Sequence, residues 1–179
     1  MDVDAFAAGT LSTLTPARRM EPPRVESSLA SPIDPEIHKL FAACEAAYGR
    51  FDFTTVRGLW SRREPPFYLA EEEGDYFTTW SQIEDYWARM PRTLDQLELR
   101  LQPRVSVPLA EDRQWIGFSL VWRARSGASP AIAGQVRGVA LLVREDGEWR
   151  LQGWVEAPLA PITYVRGLYQ HFARTLDQG

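Results

Sequence analysis

The stretch "RGVALLVREDGEWRLQGW", residues 137–154, decides the fold. Asp146-Gly147 separates two apolar-rich runs, and a glycine there supplies the positive φ that a tight hairpin turn requires. Side chains alternate across a strand. In the second run this groups Trp149, Leu151, Gly153 and Val155 on one face, and Arg150, Gln152, Trp154 and Glu156 on the other.

Outward from this hairpin the two-residue period continues back to Leu94. It predicts four strands, over about 96–107, 113–126, 132–145 and 148–157, with "SGASP" (126–130) as the loop between the second and third. Before Leu94 the period is helical. Asp34-Pro35 is a cap followed by a first-turn proline. Ile37, Leu40, Phe41, Cys44, Ala47, Tyr48 and Phe51 then share one stripe. A shorter helix follows in "DFTTVRGLWSRR" (52–63), with Val56, Leu59 and Trp60 on one face. Next, "FYLAEEEGDYFTTW" (67–80) reads as extended, then an acidic glycine turn, then extended again. Ser81 and Glu84 match a capping box. The helix they open carries Ile83, Tyr86, Trp87 and Met90 and is expected to stop before Pro91.

Helices followed by strands indicate an α+β fold: a curved antiparallel sheet wrapped by three N-terminal helices, enclosing a cone. Residues 1–33, rich in Ala, Ser, Thr and Pro, are expected to form a loosely attached extension. Residues 34–160 form the domain, and "PITYVRGLYQHFARTL" (161–176) opens an extra C-terminal helix docked on it, over 161–179.

The formal charge of −4 and a pI near 5.3 argue against nucleic acid as the main partner. One cysteine, Cys44, permits no internal disulfide and no cysteine-based metal site. No signal-peptide pattern opens the chain and no stretch suits a membrane span. A reduced, cytoplasmic protein without metal or other cofactor is expected. "EEEGDY" (71–76) lacks the alternating oxygen ligands of a calcium loop and reads as a solvated acidic turn. Cys44 reads as packing, and His38 and His171 as ordinary surface residues.

With "AYGRFDFTTVRGLW" (47–60), "WSQIEDYW" (80–87) and the 137–154 hairpin, residues 34–157 resemble the nuclear transport factor 2-like superfamily. Within it they resemble the SnoaL-like and ketosteroid-isomerase-like proteins. The resemblance implies the cone fold and metal-free isomerase, dehydratase or cyclase chemistry. It does not carry a catalytic set across. The isomerase's oxyanion tyrosine falls on Cys44 and its base on Tyr68, and a scytalone dehydratase Tyr-Asp pair falls on Tyr48-Gly49. The histidines that the dehydratase needs on its sheet have no counterpart, nor does the Asp-Arg-Asp network of the limonene epoxide hydrolases.

The resemblance further implies that the tryptophan after the hairpin turn packs inward. Val155 then ends in the pocket, while Gln152 and Trp154 lie on an outer sheet face through which relatives dimerise, and a homodimer through that face is expected. Tyr48, Tyr68, Trp87, Arg137 and Val155 are the expected ligand-binding residues. For Tyr48 the alternative is a core tyrosine bonded to backbone. For Arg137, the charge interrupting "GQVRGVALLV", the alternative is solvent or an interface. Glu156 reads as an interface or salt-bridge residue, with a rim acid as the alternative. The expected role is binding a small, largely apolar ligand of steroid, terpenoid or aromatic polyketide type. The rival is a non-catalytic dimeric interaction domain that uses the outer sheet.

Overall fold

The computed structural model describes residues 32–159. The expected extension, except Pro32 and Ile33, and the expected C-terminal helix with its His171 lie outside them. In chain order the elements are α1 (Pro35–Tyr48), α2 (Phe53–Gly58), β1 (Phe67–Leu69) and α3 (Trp80–Thr93), then β2 (Gln96–Ala110), β3 (Arg113–Arg125), β4 (Ile132–Glu145) and β5 (Glu148–Pro158). The sheet order is β1-β5-β4-β3-β2. The four long strands form the expected antiparallel meander. The short β1 adds itself parallel to β5, pairing Tyr68 with Trp154, so the sheet is mixed.

Local chemistry fixes the helices where the concave face needs them. Asp34 caps α1 by accepting from the Glu36 N–H at 2.9 Å, and its other oxygen accepts from the Trp149 indole at 3.0 Å. One carboxylate thus starts the helix and ties it to the last hairpin. The stripe Ile37, Leu40, Phe41, Cys44, Ala47 and Tyr48 is buried as its spacing requires. Phe51, at φ 54°, turns the chain, and Asp52 caps α2 through the Thr55 N–H at 3.0 Å.

The third helix starts earlier and ends later than its sequence suggests. Its cap is Thr79, in a capping box with Gln82, instead of Ser81 with Glu84. The Gln82 Oε1 accepts from the Thr78 and Thr79 N–H groups at 3.0 and 3.1 Å. Pro91 lies inside the final turn, which closes when the Leu94 N–H donates to the Met90 carbonyl at 2.8 Å. A proline this close to the end removes one bond without breaking a continuing ladder. Thr79→Ala should destabilise the protein by about 1 kcal/mol, read in thermal or urea melts. Ser81→Ala should leave it unchanged within about 0.5 kcal/mol.

The core sits between α1, α3 and the concave sheet face, which contributes Ile116, Phe118, Leu120, Val136, Ala140 and Leu142. At the turn end of β4 and β5, the buried Glu145 accepts from the Ser61 hydroxyl and, at 3.2 Å, from the Arg62 N–H. It anchors the loop that leaves α2.

A bulge in β5 determines what faces the cone. Leu142 pairs with Leu151 and Leu141 with Gly153, which leaves Gln152 as an extra residue. One inserted residue inverts the alternation beyond it. Leu151 points inward as expected, but after the bulge the inward residues are Trp154 and Glu156. Trp154 is only 4% exposed and packs on Phe118 at 4.2 Å. It is therefore not on the outer face. Gln152 accepts from Arg113 Nη1 at 3.1 Å.

Candidate functional site

The inward alternation of β2 presents Leu97, Leu99 and Leu101 to a cavity of about 710 Å³. Leu120 of β3 and Met90 of α3 continue this apolar lining. The polar lining comes from four separate pieces of chain: Tyr48 from the end of α1, Tyr68 with Glu71 and Glu72 from β1 and the turn after it, Tyr86 from α3, and Glu156 from β5.

Of the four lining acids, Glu71, Glu72 and Glu156 each receive a neutral donor. The Trp122 indole donates to Glu71 Oε1 at 2.6 Å, and the Tyr86 hydroxyl to Glu72 Oε1 at 2.7 Å. The Trp154 indole donates to Glu156 Oε1 at 2.6 Å, and the Glu71 N–H reaches the other Glu156 oxygen at 3.3 Å. Arg89 is the only cation among the described lining residues. It pairs with Glu73 at 2.6 Å.

Burial penalises the charged form of every such group. It pushes Glu156 up to about 7, with help from the charges of Glu72 and Glu71 and against the two hydrogen bonds. Glu71 is raised for the same first reason, partly offset by Trp122. Burial also raises Tyr48, Tyr68 and Tyr86, so all three stay protonated and able to donate near neutrality. The cavity thus holds one carboxyl that exchanges its proton near pH 7. Its acids and aromatic faces favour positive charge on a bound molecule. Among the described residues, no three His, Cys, Asp or Glu side chains are grouped to hold a metal ion, and no helix is long and apolar enough to cross a membrane.

Of the residues expected to contact ligand, Tyr48 and Tyr68 line the cavity together. Trp87, 1% exposed, lies behind them, stacked on Phe53 at 5.6 Å and edge-on to Tyr48 at 6.1 Å. Arg137 is exposed between the buried Val136 and Gly138, so strand alternation places it on the convex face. It takes the outer-face alternative, solvent or interface, not the pocket. Val155 is likewise turned away by the bulge and pairs with Val139, whose side chain is exposed.

Glu71, Glu72 and Glu156 belong to the cavity, so the acidic turn is not simply solvated and Glu156 takes the rim-acid alternative, facing the cone. Tyr86 and Trp122 join them in the cavity wall, without a sequence expectation that placed them there. Two glycines carried the missing signal. Gly153, inside a strand, marks the bulge. Gly134 lies opposite Trp122, whose ring approaches within 2.6 Å of where a Cβ would stand.

No family model and no curated protein matches the sequence. Solved structures do match its shape. A nuclear transport factor 2-like superfamily protein from Salmonella enterica superposes with a TM-score of 0.61 at 16% identity, over 70% of this chain and 90% of that one. A ketosteroid isomerase-like protein from Erwinia carotovora gives 0.58 at 12% identity, over 70% and 95%. A type 2 hexachlorocyclohexane dehydrochlorinase gives 0.60 at 9% identity, over 70% and 84%. At these identities the likeness concerns the backbone, and it agrees with the pattern of helices and hairpin: the chain has the cone fold of the nuclear transport factor 2-like superfamily.

Proposed function

We propose that the protein binds a small, largely apolar molecule in the cone, of terpenoid, steroid or aromatic polyketide type, and moves a proton on it with Glu156. One observation carries this reading: a carboxyl clamped by Trp154 lines a 710 Å³ cavity whose other walls are leucines and aromatic rings. The protonated acid donates to a leaving hydroxyl or a double bond. The aromatic faces and the neighbouring acids stabilise the positive charge that develops, and the carboxylate then removes a proton from the adjacent carbon. Tyr48 and Tyr68 orient the ligand's oxygen. The outcome is dehydration or isomerisation by side chains alone. Neighbours named as a ketosteroid isomerase-like protein and a dehydrochlorinase share the fold, which supports the reading by analogy only.

The test is a thermal-shift screen of these ligand classes, followed by turnover assays on the hits. A ligand at 100 times its Kd stabilises by about 2.7 kcal/mol. For general-acid action, turnover should fall as pH rises through about 7, where Glu156 loses its proton. Glu156→Gln should abolish turnover while leaving binding within about threefold. A Gln variant that retains turnover sinks the assignment.

The convex face favours a second reading as an interaction domain. Trp115 is 38% exposed there, one step along the strand face from the row in which exposed Val105 and Val139 flank Gly117. Assembly as a homodimer through this patch predicts that Trp115→Glu yields a monomer in light scattering. A wild-type protein that is monomeric at all concentrations removes that reading.

A further inference from the structure

The inward residues of the sheet form rows across the strands, and the rows show where β5 leaves off. Glu156 shares a row with Gly138 and Phe118, and the outermost row joins Ile132, Ala124 and Leu97. The last pair that β5 makes is Pro158 with Val136, two inward rows short of that edge. The Leu159 N–H still donates to the Gln135 carbonyl at 3.0 Å. Beyond it, no strand among the described residues covers that side of β4 from Ile132 to Gly134. The chain therefore leaves the sheet at the mouth of the cavity.

The mouth is apolar. Ile132 is 62% exposed although it lines the cavity, and Leu94, Leu97, Leu99 and Trp122, also in the lining, are only half-buried among the described residues. Apolar side chains turned inward and left in water forgo the burial that holds a sheet face. A second, independent observation lies in the sequence that follows. Residues 160–179 begin directly after Leu159 and repeat apolar side chains at helical spacing: Ile162, Val165, Tyr169, Phe172 and Leu176. Coiled as a helix they would extend about 30 Å, enough to cross the mouth of a cavity of about 710 Å³. Arg166 borders the stripe, and the exposed Glu72 stands on the rim to meet a positive charge. Stripe and mouth match in chemistry and adjoin in the chain, so docking needs no second molecule and little loop closure.

We propose that residues 160–179 form the outer wall of the cavity, with the stripe from Ile162 to Leu176 laid over Ile132, Leu97 and Leu94. Ligand enters and leaves only when this segment lifts. The wall depends neither on the proton chemistry of Glu156 nor on which molecule binds.

The test is the rate at which N-ethylmaleimide modifies an Ile132→Cys thiol in the full chain, followed by intact mass. Cys44, 1% exposed, is the slow background. The Ile132→Cys thiol should react at least about tenfold more slowly with the native stripe than with Val165→Asp/Phe172→Asp, since a seated segment must open before the reagent arrives. Val121→Cys, on the convex face at a 46% exposed position, should react at one rate in both backgrounds. Equal rates for Ile132→Cys in the two backgrounds overturn the proposal. A Val121→Cys rate that rises by the same factor shows an effect on the whole fold and overturns it too. So does shielding of Ile132→Cys that appears only as protein concentration rises, which assigns the cover to a second copy. Shielding in a protein that binds none of the screened ligands retains the wall and counts against the ligand-binding reading alone.

Discussion

Glu156→Gln is expected to stabilise the protein by about 2 kcal/mol at pH 8 and to leave it nearly unchanged at pH 4.5. The folded state raises the carboxyl from its ordinary 4.5 to about 7. Between those values the native protein holds a proton that the unfolded chain has released, so stability falls as pH rises through the interval. Above it the full cost is present, about 3 kcal/mol at 1.36 kcal/mol for each pH unit. Glutamine is neutral in both states and avoids that cost. It keeps the acceptor for the Trp154 indole but turns an amide toward the Glu71 N–H, whose 3.3 Å bond to the carboxylate is lost. Losing that bond costs about 1 kcal/mol, which leaves the net 2. In melting experiments this is a gain of roughly 4–8 °C at pH 8 that closes on acidification. Parallel wild-type and variant curves from pH 4.5 to 8 would falsify the assignment of a raised carboxyl to this position. A gain in stability paired with a loss of turnover marks a group held in an unfavourable charge state for its chemistry.

The fold was legible because its signals are local and repeated. Asp146-Gly147, the Asp34 cap, the stripe from Ile37 to Tyr48 and the period change at Leu94 each fix one element, and they agree with one another. The site was legible only where it rests on those elements. Tyr48 follows from the helical stripe, and Tyr68 from the short strand that precedes the acidic turn. Glu156 did not follow, because alternation is a parity rule and one bulge at Gln152 reverses it for every later residue. The same reversal exchanged Trp154 with Val155. Glu71 and Glu72 were misread for a different reason. A run of acids in a turn looks solvated, and only the fold reveals that Trp122, fifty-one residues from Glu71, meets it. Arg137 failed the inward expectation because an apolar run buried on one face need not be buried on the other.

The glycines that obscured the strand pattern lead to the second large effect, Gly138→Ala. Phe118 lies directly across from Gly138, and its ring atoms come within 2.0 Å of where an alanine Cβ would stand. The ring cannot give way freely, since it is 3% exposed and held between Trp154 at 4.2 Å and Phe41 at 5.5 Å. A new methyl therefore drives Phe118 off its rotamer into Trp154, at a cost of about 3 kcal/mol. β-Propensity alone would favour alanine over glycine in a strand, so the predicted sign opposes the local rule and isolates the packing. A double-mutant cycle makes the origin explicit. Phe118→Ala alone leaves a void and costs about 3–5 kcal/mol. In that background Gly138→Ala should cost less than about 1 kcal/mol, because the ring it strikes is gone. Additive costs in urea denaturation would locate the strain elsewhere. Coupling would also bear on function, because Trp154 is both the next ring in the stack and the donor that clamps Glu156. A marginally folded Gly138→Ala protein should then lose the pH-dependent stability that Glu156 imparts.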